Sequence, residues 1–116
     1  LPFAADFGQN CILSENMQQQ IFGFSLLLRI YKQLGTAEMN KIMQRILQMQ
    51  IPEQESTLHN TIALCLARLT RKDRETAQTI HKSIQSFKDD KIAGRNHIFR
   101  TVEQELIFLG YLDEKF

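Results

Sequence analysis

Three histidines, two cysteines and thirteen carboxylates are the groups from which this chain could assemble a reactive centre. Acid-base or metal-assisted chemistry needs histidine and carboxylate side chains that converge. On a helix only residues three or four apart share a face, and Glu55 with His59 is the one His-carboxylate pair at that spacing. One pair does not make a centre. The Glu-x-x-His motif of di-iron bundles is absent. His81 and His97 have no acidic residue within a helical turn, and Glu103 with Glu105, like Asp113 with Glu114, is spaced so that the two carboxyls do not face each other.

Covalent catalysis fares no better. Ser25 lies in Gly23-Phe24-Ser25-Leu26-Leu27, which lacks the second glycine of a nucleophile elbow. The five glycines, at 8, 23, 35, 94 and 110, are too scattered to cradle a phosphate or a dinucleotide. The expectation is a protein that is not an enzyme and carries no cofactor or metal. Cys11 and Cys65 form no Cys-x-x-Cys motif and have no histidine at zinc-finger spacing. Cys65, inside Ile62-Ala63-Leu64-Cys65-Leu66, reads as a buried thiol acting as a small hydrophobe. A Cys11–Cys65 disulfide is the sharper alternative. It would add roughly 2–4 kcal/mol in an oxidising compartment.

The elements that must position these residues follow from the punctuation of the apolar pattern. Gly35, Pro52, Gly94 and Gly110 fall where the helical periodicity breaks, and no strand pattern competes. The expected fold is all-α, a bundle of about five helices over 15–34, 37–50, 53–69, 71–88 and 97–109, with residues 1–13 as an arm and 14–116 as a single domain. Ser14 is the expected cap of the first helix and Gly35 its left-handed terminator. That helix carries Met17, Ile21, Phe24, Leu28 and Tyr31 on one stripe and Phe22, Leu26, Leu27, Ile30 and Leu34 around the rest. It is therefore expected to be buried on nearly all sides, by its neighbours or by dimerisation. The remaining stripes are Met39, Ile42, Met43, Ile46 and Leu47; Leu58, Ile62, Cys65, Leu66 and Leu69; Ala77, Ile80, Ile84 and Phe87; and Ile98, Phe99, Val102, Leu106 and Leu109. No segment approaches the roughly 20 apolar residues of a bilayer span.

Two surfaces could bind. Asn40, Lys41, Gln44, Arg45 and Gln48 lie opposite the Met and Ile stripe of the second helix and are types that can read base edges in a major groove. From Arg68 to Arg100 the chain carries a local charge of +5, although the net charge of the whole is +1. The final sixteen residues balance this with −3.

Three functional readings stand. The leading one is a non-enzymatic α-helical protein-interaction module, an adaptor, regulatory subunit or dimerisation domain. Phe22, Leu26, Ile30 and Met43 are its expected hot spots, because the first helix has more apolar surface than its short neighbours need. A protein partner or a second copy of the chain would cover them. The second is a secreted helical-bundle ligand of the cytokine kind, suggested by the start without Met and by the cysteine pair. The third is a DNA-binding regulator using the second helix. The sequence does not fix a compartment; a soluble intracellular protein is preferred to a secreted one.

Overall fold

In a computed structural model, the structure describes residues 2–90 and 93–113; Leu1, Lys91 of the basic segment, and Glu114 and Lys115 of the acidic end lie outside them. Among the described residues the fold is all-α, with no strand. Six α-helices follow one another: α1 (Pro2–Ile12), α2 (Met17–Arg29), α3 (Thr36–Gln48), α4 (Ser56–Leu69), α5 (Arg74–Ser83) and α6 (Ala93–Phe108). Short 3-10 turns at Tyr31–Gln33 and Gln85–Phe87 extend α2 and α5.

The sixth helix is the main departure from expectation. Residues 2–12 are not an unpatterned arm but α1, lying along α2. Its inward positions are Ala4, Ala5, Gly8, Gln9, Cys11 and Ile12, a helical period written in small and polar residues that an apolar count passes over. The contact is a close backbone approach. A Cβ on Gly23 would stand 2.7 Å from Ile12 Cγ2, 2.8 Å from Cys11 Cβ and 2.9 Å from the Gly8 carbonyl oxygen. One on Gly8 would stand 2.9 Å from Leu27 Cγ and Cδ2. Glycine at both positions lets the two helices meet where any other residue would hold them apart.

With α1 covering one side, α2 is not buried all round. Only Gln20, Gly23, Phe24 and Leu27 are fully enclosed, and Phe22 is 53% exposed. The central helix is α4, which packs against α2, α5, α6 and the turn at Tyr31–Gln33. It buries Leu58, His59, Ile62, Ala63, Cys65, Leu66, Ala67 and Leu69. The reason is arithmetic of faces: α4 must serve α2 on one side and α6 on the other, so two stripes of its surface are apolar.

The later stripes turn inward, except that Leu109 is only half-buried and lies outside the core. Met39, Ile42, Met43 and Ile46 of α3, Ala77, Ile80, Ile84 and Phe87 around α5, and Ile98, Phe99, Val102 and Leu106 of α6 all enter one core. Leu47 stays 38% exposed. The helix ends shift by a few residues, each for a visible bond. α2 is capped by Asn16, whose Oδ1 accepts from the Gln19 N–H at 3.1 Å, while Ser14 Oγ accepts from the Asn16 N–H. Gly35 is not a left-handed terminator: at φ −90° it is the N-cap of α3, and its N–H donates to Glu38 Oε1 at 2.8 Å. Pro52 lies in the loop before α4, and α4 and α5 separate at Thr70–Asp73. α5 then starts from Asp73, whose Oδ1 accepts from the Thr76 N–H at 2.7 Å. α6 begins at Ala93, earlier than expected, and Asn96 within it donates to the Lys88 carbonyl. Gly110 does terminate α6, with φ 80°, its N–H bonded to Ile107 O and the Tyr111 N–H to Leu106 O.

The α1–α2 approach predicts that Gly23→Ala destabilises the fold although alanine is the better helix former. Propensity contributes about 1 kcal/mol in its favour, but forcing a methyl into a closed contact costs about 1–3 kcal/mol. A lower urea midpoint is the expected outcome. The Asp73 cap predicts a pH effect. The Thr76 N–H holds the Asp73 carboxyl below its ordinary value of 3.8, so the native state favours the ionised form. Its stabilisation is complete above that ordinary value and is lost as pH falls through the lowered one. Asp73→Ala should therefore lower stability at neutral pH and flatten the acid side of a stability-against-pH curve.

Candidate functional site

Three exposed aromatic side chains gather where α1 meets α2, while Leu64 and Phe108 line a separate recess between α4 and α6. The glycine contact turns the inward face of α1 onto Leu27 and leaves Phe3 and Phe7, one helical turn apart, facing solvent. Phe22, adjacent to Gly23, points the same way. The three rings form a continuous array: Phe3 stacks on Phe7 with centroids 6.1 Å apart, and Phe7 meets Phe22 edge to face at 5.9 Å. They remain 78%, 44% and 53% exposed. Beside them an open recess of about 550 Å³ is lined by Phe7, Asn10, Cys11, Asn16, Gln18, Gln19 and Phe22. None of these lining residues carries a full charge. Soluble surfaces scatter large apolar side chains singly, and three aromatics in contact with a polar amide rim have the composition of an interface centre.

Of the expected hot spots, Phe22 belongs to this array. Leu26 and Ile30 are half-buried, and Ile30 packs on the core. Met43 does not belong: it is 5% exposed and part of the core, since α3 turns its whole Met and Ile stripe inward. Sequence reasoning missed Phe3 and Phe7 by treating their segment as unstructured. Their i, i+4 spacing, offset by one from Ala4 and Gly8, was the available signal.

The residues expected to read DNA are differently placed. Asn40, Lys41 and Gln44 are exposed on α3, but Arg45 is engaged within the chain: Nε donates to Ile12 O at 2.6 Å and Nη2 to Ser14 O at 3.1 Å. Ile12 is the last residue of α1, where carbonyls lack helical partners and a cation is favoured by the helix dipole, and Ser14 lies in the turn that follows. Gln20 donates to the same Ser14 O at 2.8 Å, and Gln9 to Glu38 O at 2.8 Å. The cleft over this face, about 460 Å³, mixes Lys41 and Arg45 with Asp6 and Glu38. Arg45 is thus a clamp that holds the end of α1 and the turn after it to α3, with its Nε and Nη2 engaged inside the chain.

Two of the three histidines make packing or polar contacts, and His97 is exposed. His59 is 6% exposed beneath Gly94, and its ring Nε2–H donates to Pro52 O at 2.6 Å, pinning the loop before α4. It does not turn to Glu55. His81 stacks on Phe99 with centroids 5.5 Å apart and has Glu103 Oε2 3.6 Å from Nε2, a neighbour brought by α6 from outside its own helix. Among the described residues no group of three or more His, Cys, Asp or Glu side chains is placed to hold a metal ion, and no helix is long and apolar enough to cross a membrane.

Cys11 and Cys65 are free thiols, not the disulfide that their pairing suggested. Cys65 lies within the α4 core, where burial pushes its thiol up to about 12. Cys11 is half-buried at the edge of the aromatic recess. A water-soluble disulfide reagent near neutral pH should therefore titrate Cys11 in the native protein and Cys65 only after denaturant is added, because the thiolate is the reacting form. Failure of both thiols to react in denaturant would restore the bridge.

Comparison with known protein families, with curated proteins and with solved structures finds no match for this chain, so the geometry alone carries the functional reading.

Proposed function

We propose that this chain is a non-enzymatic helical protein-interaction module whose contact surface is the aromatic face of α1 and α2. The observation that carries the reading is the array of Phe3, Phe7 and Phe22, in ring-to-ring contact yet left to solvent. Aromatic side chains bring large contact area with few rotatable bonds, which is why they dominate interface hot spots. Burying an exposed phenylalanine contributes about 1.5–3 kcal/mol each, so the three together can anchor an association once its entropy cost is met.

The partner that suits this face first is a second copy of the chain. A two-fold contact places the same patch on both sides, so it must be self-complementary. The lining of the recess satisfies this: Asn10, Asn16, Gln18 and Gln19 can donate and accept, and no formal charge among them would repel its own image.

Sedimentation across a concentration series tests the reading. The wild-type chain is expected to form a dimer, and the variant Phe3→Ser/Phe7→Ser/Phe22→Ser to stay monomeric with an unchanged helical circular dichroism spectrum. A wild-type protein that stays monomeric at all concentrations overturns self-association, and a triple variant that dimerises as well as wild type moves the contact off this face.

A further inference from the structure

A second surface, independent of the aromatic face, forms at the corner where α4 ends, α5 begins and the turn after α2 meets them. The basic residues Arg68, Arg71, Lys72 and Arg74 follow one another there in the chain, and tertiary packing adds Lys32. Tyr31 is the hub. Its ring has Arg68 Cζ at 5.9 Å and Lys32 Nζ at 6.0 Å from the centroid. Lys72 donates to the Leu34 carbonyl on the same turn. From Arg71 the surface continues onto α6 through its bond to Glu105, and the Tyr111 N–H is bonded to Leu106 O, next to Glu105. Arg74 lies over the Tyr111 ring with Cζ 5.0 Å from the centroid.

This arrangement leaves two kinds of arginine. Arg71 has its carboxylate already. Arg68 and Arg74 lie near tyrosine rings instead, with no carboxylate at ion-pair distance among the described residues, which leaves the N–H edges of their guanidinium groups unpaired. Those edges form the fork that an oxyanion accepts from with two parallel hydrogen bonds. The neighbouring ring also limits the freedom that such long side chains would otherwise lose on binding.

The rim decides which anion fits. Asp73 and Glu75 flank Arg74, and Asp113 follows Tyr111 by two residues, all exposed. The whole chain carries only +1. A long polyanion tracking across this corner would run against these carboxylates, whereas a short ligand can pair with Arg68 and Arg74 between them. We propose that the Tyr31–Tyr111 corner is a docking site for a short acidic segment of a protein partner, with side-chain carboxylates paired to Arg68 and Arg74. The aromatic face takes no part in it.

The test is fluorescence anisotropy of a labelled Glu-Ser repeat peptide with the full chain. Saturable binding at low salt is expected, weakening as ionic strength rises to about 0.15 M, where charges are screened beyond roughly 8 Å. R68Q/R74Q should weaken it about tenfold or more, a loss of about 1.4 kcal/mol. K41Q/K82Q removes the same charge elsewhere on the surface and should leave binding within about twofold. R68K/R74K keeps the charge and loses the fork, so it should bind severalfold more weakly than wild type; it also serves if R68Q/R74Q fails to fold. The proposal is overturned by absence of saturable binding, by equal losses in R68Q/R74Q and K41Q/K82Q, or by unchanged binding in R68K/R74K. A single-stranded oligonucleotide of matched charge that binds more tightly than the peptide overturns it as well, in favour of a nucleic-acid surface.

Discussion

The arrangement depends on one steric condition: two helical backbones must come close enough at Gly8 and Gly23 that neither position has room for a Cβ. Everything on the exposed side of α1 and α2 follows from it. A close approach rotates α1 so that its small residues and Ile12 face α2, and the same rotation carries Phe3 and Phe7 outward to join Phe22. Larger residues at the crossing would separate the helices, and the three rings would lose their shared surface. The aromatic face is therefore a by-product of how the interior is packed, which makes it as rigid as the crossing beneath it.

A close crossing of this kind gains dispersion contact, but the carbonyls at the end of α1 and in the turn after it still need partners. Gln20 and Arg45 supply them from two different helices, and Gln9 returns a bond from α1 to the α3 backbone. These polar residues stand where a reading based on hydrophobicity would place surface. Gln9 and Gln20 are 9% and 7% exposed. Arg45 changes meaning altogether, from a side chain available to an external ligand to one that closes a helix end inside its own fold.

The core was legible wherever apolar residues recur at helical spacing. The stripes of α3, α4, α5 and α6 lie in the interior as their periodicity requires, and Gly110 ends α6 as its position suggests. α1 was not legible, because its inward face is written in Ala4, Ala5, Gly8 and Gln9, whose contribution is proximity and hydrogen bonding, not transfer of apolar area. The same omission distorted α2: with α1 missing from the account, its excess apolar surface had to be assigned to complete burial or to a partner. Part of that surface is covered by α1, and Phe22 is what remains. The candidate site was thus half visible, at Phe22, and half hidden in a segment whose pattern carries no hydrophobic signal.

The order of residues alone determined that this chain is helical, where its principal helices run, and which side chains fill most of the core, because these depend on periodicity and local backbone preference. Tertiary structure decided which helix is central, that Cys11 and Cys65 stay apart, that Arg45 bonds the chain's own carbonyls, and that Phe3, Phe7 and Phe22, like Tyr31 with Arg68 and Tyr111 with Arg74, come together. The physical reason is that periodicity defines a face on each helix but not its partner. Partners are selected by how closely surfaces can approach and by which polar groups remain to be satisfied, and both are properties of pairs of elements distant in the chain.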